Sequence, residues 1–263
     1  FRADLPMVEG IYSWSSQSHA GFDTTVVLVD TDEGLTGVGE CCPLGPTYLP
    51  AYAHGVRAGI AQLAPHLIDK DPTQLDRINH LMDTYVKSAI DMACWDILGK
   101  ATGLPVYVLL GGKLQEKVTL YKVVSRADPN AMAERIPEYR DKGFHQFQVK
   151  VGEDPSTDII RIHRVAEEME AGEVLNADAN TGWKQHEALQ VAHGIADIGK
   201  QTGIRLTFEQ PCLSYHECLA VRQHTNLPFV LDECMDSINA LLQAQHDHAM
   251  DMINLKISRF GGI

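Results

Sequence analysis

Lys150, Asp178, Glu209, Asp232 and Lys256 recur along the second half of the chain at intervals of 23 to 31 residues. Each stands near the C-terminal end of a short β-rich run, where apolar packing would be expected. Gln148 lies two residues before Lys150, Asn180 two after Asp178, and Glu233 directly after Asp232. Side chains alternate along a strand, so Gln148 and Lys150 share one face, as do Asp178 and Asn180. Three acidic groups brought to one place repel each other unless a cation sits between them. Hard carboxylate oxygens without His or Cys suit Mg²⁺, which keeps positions for water or substrate oxygens. Taken singly, each residue is ordinary: a strand-end Asp commonly caps a helix, and a strand Lys commonly snorkels to solvent. Five of them at one repeating position point to a site.

The elements that must position these residues follow from the texture of the chain. From about residue 117, β-rich runs alternate with amphipathic helical stretches. Strands are expected over 118–124, 144–151, 173–179, 205–210, 229–233 and 252–257, with helices over 129–142, 155–170, 185–201, 214–224 and 236–247. This alternation implies a parallel sheet with helical crossovers. No glycine-rich nucleotide motif follows the first strand. Polar residues at the C-terminal strand ends favour a (β/α) barrel, whose active sites form there. Upstream, residues 24–40 read as a β-hairpin around an acidic, glycine-ended turn. Helical patterns cover 51–64 and 74–83, and an apolar helix over 88–100 is stopped by Gly103 and Pro105. The expected division is an α+β domain over 1–115 and a barrel domain over 116–263.

Composition narrows the classes. A net charge of −13 argues against a nucleic-acid surface, and 44% hydrophobic residues suit a globular core. No apolar run is long enough to span a membrane. Six cysteines (41, 42, 94, 212, 218 and 234) show no C-x-x-C spacing and read as reduced packing residues. A cytoplasmic enzyme that handles an anionic small molecule, and self-associates as a homo-oligomer, is expected.

The run from Ala89 to Pro105 (AIDMACWDILGKATGLP), Leu109-Leu-Gly-Gly, Ala177-Asp-Ala-Asn-Thr-Gly-Trp, Phe208-Glu-Gln-Pro-Cys, Leu231-Asp-Glu and Leu255-Lys-Ile-Ser-Arg-Phe-Gly-Gly resemble the mandelate racemase/muconate lactonizing enzyme group of the enolase superfamily. The resemblance implies a modified TIM barrel with an N-terminal α+β capping domain. It implies Asp178, Glu209 and Asp232 as Mg²⁺ ligands, with Glu233 behind them, and Lys150 and Lys256 as acid/base lysines on opposite faces of the substrate. Two positions depart from the common pattern. Gln148 stands where many relatives have lysine; it can hydrogen-bond a substrate carboxylate but cannot lower the pKa of Lys150 by repulsion. Arg259 stands where a second lysine is common. Strands seven and eight are not in this sequence, so the barrel is expected to be incomplete at the C-terminus of this chain. The first residue, Phe1, and a short join before the apolar helix suggest further missing sequence.

The implied chemistry is removal of the proton α to a carboxylate. That step creates a doubly charged enediolate, which a metal stabilises as the charge develops. A second lysine returning the proton gives racemisation or epimerisation of an amino-acid-derived, proline-like acid within amino acid catabolism. The same pair permits dehydration of a hydroxyproline or sugar acid. A non-catalytic ligand-binding barrel is the alternative of another class. Specificity would come from loops over 13–22, with Trp14 and His19, and 43–52, with Tyr48. Trp14 and Tyr48 could wall an ammonium by cation–π contact.

Overall fold

Glycines on one strand bring the apolar helix onto the first sheet. The computed structural model describes every residue except Ser16, Pro46, Thr47, Leu49 and 81–83, and only the backbone of Arg77, Ile78 and Thr84. Its strands are β1 (Arg2–Pro6), β2 (Tyr12–Trp14), β3 (Gln17–His19), β4 (Gly21–Asp30), β5 (Thr36–Cys41), β6 (Lys122–Val124), β7 (Gln146–Lys150), β8 (Val174–Asp178), β9 (Arg205–Glu209), β10 (Phe229–Leu231) and β11 (Met252–Ile253). Two compact units result. One holds Phe1–Val8, Gly21–Lys117 and Lys256–Ile263; the other holds Glu9–Ala20 and Val118–Leu255.

In the first unit, β1, β4 and β5 form an antiparallel sheet in that order. The hairpin expected over 24–40 is β4–β5. Strand β1 has no counterpart in the sequence reading because it is short and mostly exposed, with no buried apolar alternation. The helix Thr84–Thr102 packs on β5 at Gly37 and Gly39. A Cβ at Gly39 would stand 1.8 Å from the Ala89 carbonyl oxygen, and one at Gly37 2.0 Å from that of Ala93. Alternating glycines therefore let helix backbone and sheet meet. The helix ends where Gly103 turns left-handed at φ 67°, before Pro105. The helical pattern over 74–83 is realised as Leu75–Asn79, and its last three residues lie outside the described ones.

In the second unit, six parallel strands run in the order β11-β10-β9-β8-β7-β6, with helices on the crossovers between them. Local chemistry starts those helices. Asp128 and Asp154 cap Pro129–Asp141 and Pro155–Glu167, each followed by proline at the first helical position; Ser214 and Ser237 cap Tyr215–Arg222 and Ile238–His246. Phe147, Leu175, Phe208 and Phe229, all fully buried, form the core between sheet and helices.

Several boundaries differ from the sequence reading. Strand β6 begins at Lys122 rather than 118, since Val118 and Leu120 are exposed. The helix expected over 185–201 is two helices, Gln185–Ile195 and Ile198–Thr202. The sixth strand stops at Ile253, so Lys256 lies beyond it, at the N-cap of Ile257–Phe260. The stretch 13–22, read as a loop, carries most of the β2–β3 hairpin, which begins at Tyr12 with register Tyr12↔His19.

Candidate functional site

Strand register gathers the charged residues of the second unit. Lys150 pairs with Asp178 across β7 and β8, and Asp178 with Glu209 across β8 and β9. Asp232 directly follows β10. Lys150 is 5% exposed, and Asp178, Glu209 and Asp232 are 1% exposed. Lys150 Nζ donates to Asp178 Oδ2 at 2.5 Å, and the Asn180 amide donates to Asp178 Oδ1 at 2.8 Å. Burial alone would lower the Lys150 pKa. The Asp178 carboxylate, with Tyr12 and Glu209 behind it, reverses this and holds the ammonium above the ordinary lysine range.

Glu209 has a different environment. Gln148 Nε2 donates to Oε2 at 2.9 Å, Asn176 Nδ2 donates to the same oxygen, and Asn254 Nδ2 donates to Oε1 at 3.0 Å. Thr207 Oγ1 in turn donates to Asn176 Oδ1 at 2.8 Å. Burial pushes the Glu209 pKa up to about 7, and the Asp178 and Asp232 carboxylates add to it; Asn254 and Lys150 oppose. Gln148, expected to meet a substrate carboxylate, here meets Glu209. Asn180 Nδ2 donates to Glu233 Oε1 at 2.9 Å, which places Glu233 beside the ligand candidates.

The β2–β3 hairpin docks on the same strand ends. Ser15 N–H donates to the Val151 carbonyl at 3.1 Å, and its hydroxyl to the Gly152 carbonyl at 3.1 Å. Only glycine fits at Gly182, where a Cβ would stand 2.2 Å from the Gly152 oxygen and 2.6 Å from Ser15 Oγ. Trp14 is buried, with His19 stacked on it at 4.6 Å and Tyr12 tilted against it at 4.9 Å. Burial raises the Tyr12 hydroxyl, while Lys150 lowers it and Asp178 raises it, so this phenol shares their field.

Lys256 and Tyr48 belong to the first unit. Lys256 Nζ donates to the Tyr48 hydroxyl at 2.9 Å and stands 5.5 Å from its ring centre; Arg259 Nη2 reaches the same oxygen at 3.3 Å. The cation at the Tyr48 ring is thus the chain's own lysine.

Sequence reasoning missed Asn176, Asn254, Gln210 and Tyr12. Alternation signalled Asn176, two residues before Asp178 and on its face, and Gln210 lies inside the quoted Phe208–Cys212 run. Nothing local to Tyr12 announces it.

The donor set fits a hard divalent cation. Burial, and then the Asp178 and Asp232 carboxylates at the neighbouring strand ends, push the Glu209 pKa up, and a cation would relieve that repulsion. Asn180 Oδ1 is buried with no hydrogen-bond partner among the described residues. The carboxylates do not already form a cage: among the described residues no group of three or more His, Cys, Asp or Glu is gathered at metal-holding geometry. Protein donors engage Asp178 and Glu209 instead.

Residues 8–111 match the family model of the mandelate racemase/muconate lactonizing enzyme N-terminal domain, and residues 131–263 match the enolase C-terminal domain-like model. The chain belongs to the mandelate racemase/muconate lactonizing enzyme family. Its fold is that of the enolase superfamily, and the six parallel strands are consistent with a partial barrel. A cis-3-hydroxy-L-proline dehydratase of Roseibium aggregatum is 50% identical over 270 residues, covering 100% of this chain and 72% of that protein. An N-succinyl-L-Arg/Lys racemase of Bacillus cereus is 31% identical over 255 residues, covering 94% and 68%. A crystal structure of an enolase superfamily member from Roseovarius nubinhibens, complexed with magnesium, aligns at a TM-score of 0.88 with 38% identity, covering 100% of this chain and 71% of that one. Among the described residues no helix is long and apolar enough to cross a membrane.

Proposed function

We propose that this chain removes the proton α to a substrate carboxylate and expels a β-hydroxyl, dehydrating a hydroxyproline-like imino acid. The observation that carries the reading is the buried row Lys150–Asp178–Glu209, in register on three adjacent strands. Likeness over the whole chain to a hydroxyproline dehydratase supports dehydration ahead of the racemisation favoured by sequence reasoning.

Asp178, Glu209 and Asp232 would hold Mg²⁺, which when bound offsets both their mutual repulsion and the negative charge growing on the substrate carboxylate. Lys150 moves the α-proton at Nζ. It must be neutral to accept that proton, so the Asp178 ion pair that keeps it charged has to loosen first. Lys256, with Nζ oriented by the Tyr48 hydroxyl, is the candidate acid for the departing hydroxide. Gln148, Asn176 and Asn254 keep the Glu209 carboxylate oriented without adding charge. Burial of Lys150 and the carboxylates limits water at the reacting centre.

Racemisation or epimerisation of an amino-acid derivative is the second reading, favoured by the racemase likeness and by two lysines available as acid and base. Incubation with cis-3-hydroxy-L-proline and with N-acylated amino acids in D₂O separates the two. Loss of one water from the hydroxyproline supports dehydration. Deuterium at the α-carbon with no loss of water, and inverted configuration, overturns it in favour of the isomerase.

A further inference from the structure

Gln210 follows Glu209 directly and is fully buried, yet it is polar and its backbone is left-handed at φ 32°. That region costs energy for a residue with a Cβ and tends to be kept where function needs it. Asn180 at φ 42° and Thr181 at φ 68°, just after β8, share the conformation, as does Ser15 at φ 39° in the docked hairpin. Backbone bonds tie the region together. The Thr181 amide donates to the Gln210 carbonyl at 2.9 Å, and the Gln210 amide to the Val230 carbonyl at 2.9 Å.

The side chain does more than fill space. Its Oε1 accepts from the Asp232 amide at 2.8 Å, from the Cys234 amide at 3.5 Å and from Cys234 Sγ at 3.3 Å. Its Nε2 donates to the Cys212 carbonyl at 2.9 Å and to Cys218 Sγ at 3.5 Å. One carboxamide therefore clamps the turn after β10, which carries Asp232, to the turn that directly follows Glu209, the last residue of β9. A buried amide is tolerated only when its hydrogen bonds are made, and these are. We infer that Gln210 is a positioning residue that sets the Asp232 carboxylate against Glu209 for binding a divalent cation. The inference rests on the reading of Asp232 as a ligand. Residues that orient metal ligands from behind typically carry about 10–100-fold in metal affinity.

Calorimetric titration with Mg²⁺ and Mn²⁺ tests this without turnover, using wild type, Gln210→Met, Asp232→Asn and Glu173→Gln. Gln210→Met keeps length and loses both the acceptor and the donor. Its expected affinity loss is about 10–100-fold, with Asp232→Asn losing at least as much. Glu173→Gln, in an ion-pair network before β8, should lose stability while keeping wild-type affinity, so destabilisation by itself is controlled. If Gln210→Met does not fold, Gln210→Gly removes the clamp while relieving the left-handed backbone, and the same loss is expected. Wild-type affinity in the folded Gln210 variant, with Asp232→Asn impaired, overturns the positioning role and leaves the ligand reading standing. Wild-type affinity in Asp232→Asn overturns the ligand reading and the inference with it.

Discussion

Two buried glutamates near opposite ends of β8 solve the same electrostatic problem differently. Glu173, just before the strand and 5% exposed, is met by Arg140 through two hydrogen bonds at 2.9 and 2.8 Å, by the Glu170 amide at 2.8 Å and by His145 Nδ1 at 3.1 Å. Burial opposes its ionisation, but these partners outweigh it and hold the carboxyl below the usual range. Glu209, paired across from the last residue of β8, accepts hydrogen bonds from neutral amides among the described residues and faces Asp178 and Asp232, with Lys150 opposing them through its charge alone. The first carboxylate is fully compensated within the chain, as a structural ion pair should be. The second has its pKa raised rather than lowered, the difference expected between a structural ion pair and the proposed Mg²⁺ site.

The largest effect is expected from Lys150→Ala, which removes the cation paired with Asp178. Turnover should fall by about 10²–10⁴-fold, the range for a general acid or base, while far-ultraviolet circular dichroism stays unchanged. Next comes Glu173→Gln. It removes the buried carboxylate from Arg140, which keeps only the Glu168 carbonyl and the more distant, exposed Glu170 among the described residues, and should destabilise the protein by about 3 kcal/mol, the lower end for a buried pair, measured by urea unfolding.

The pH dependence should separate the two ends. Glu209 rises from the usual 4.5 to about 7 in the folded state, so the folded protein holds more protons than the unfolded one between those values. Its contribution then falls as pH rises across that window, by up to about 3 kcal/mol. Glu173 is shifted down; its contribution is present above the unfolded value and lost as pH falls through the folded one. Thermal unfolding in a chelator should show the Glu209 slope between 4.5 and about 7 and the Glu173 slope below 4.5. Glu209→Gln should remove the first and raise stability by about 1–2 kcal/mol, whereas Glu173→Gln should remove the second. The smallest effect is expected from His145→Ala, below about 1 kcal/mol, because that imidazole is mostly solvated.

Much of this site was legible in the sequence. Lys150, Asp178 and Glu209 stand one βα unit apart, and parallel pairing turns that spacing into a row across β7–β9. Gln148 was named for a substrate carboxylate and Asn176 was passed over, because both reach Glu209 only through the strand register. Tyr12 was hidden because its hairpin returns from far upstream in the chain. The strand expected to carry Lys256 was drawn too long: Leu255 and Ile257 suggest β structure, while the ladder stops at Ile253. The aromatic wall expected from Trp14 and Tyr48 depended on contacts no local pattern encodes, and each has an intramolecular partner in its own unit.

The proposed chemistry turns on Lys150 moving the α-proton of a carboxylate substrate that Mg²⁺ on Asp178, Glu209 and Asp232 would hold. Proton NMR of cis-3-hydroxy-L-proline in D₂O with Mg²⁺, comparing wild type with Lys150→Ala, tests it most directly. Loss of the α-proton signal should be rapid with wild type, abolished by chelator and slowed at least about 10²-fold in the variant. Loss at the wild-type rate in Lys150→Ala, or at an undiminished rate in chelator, would contradict the account.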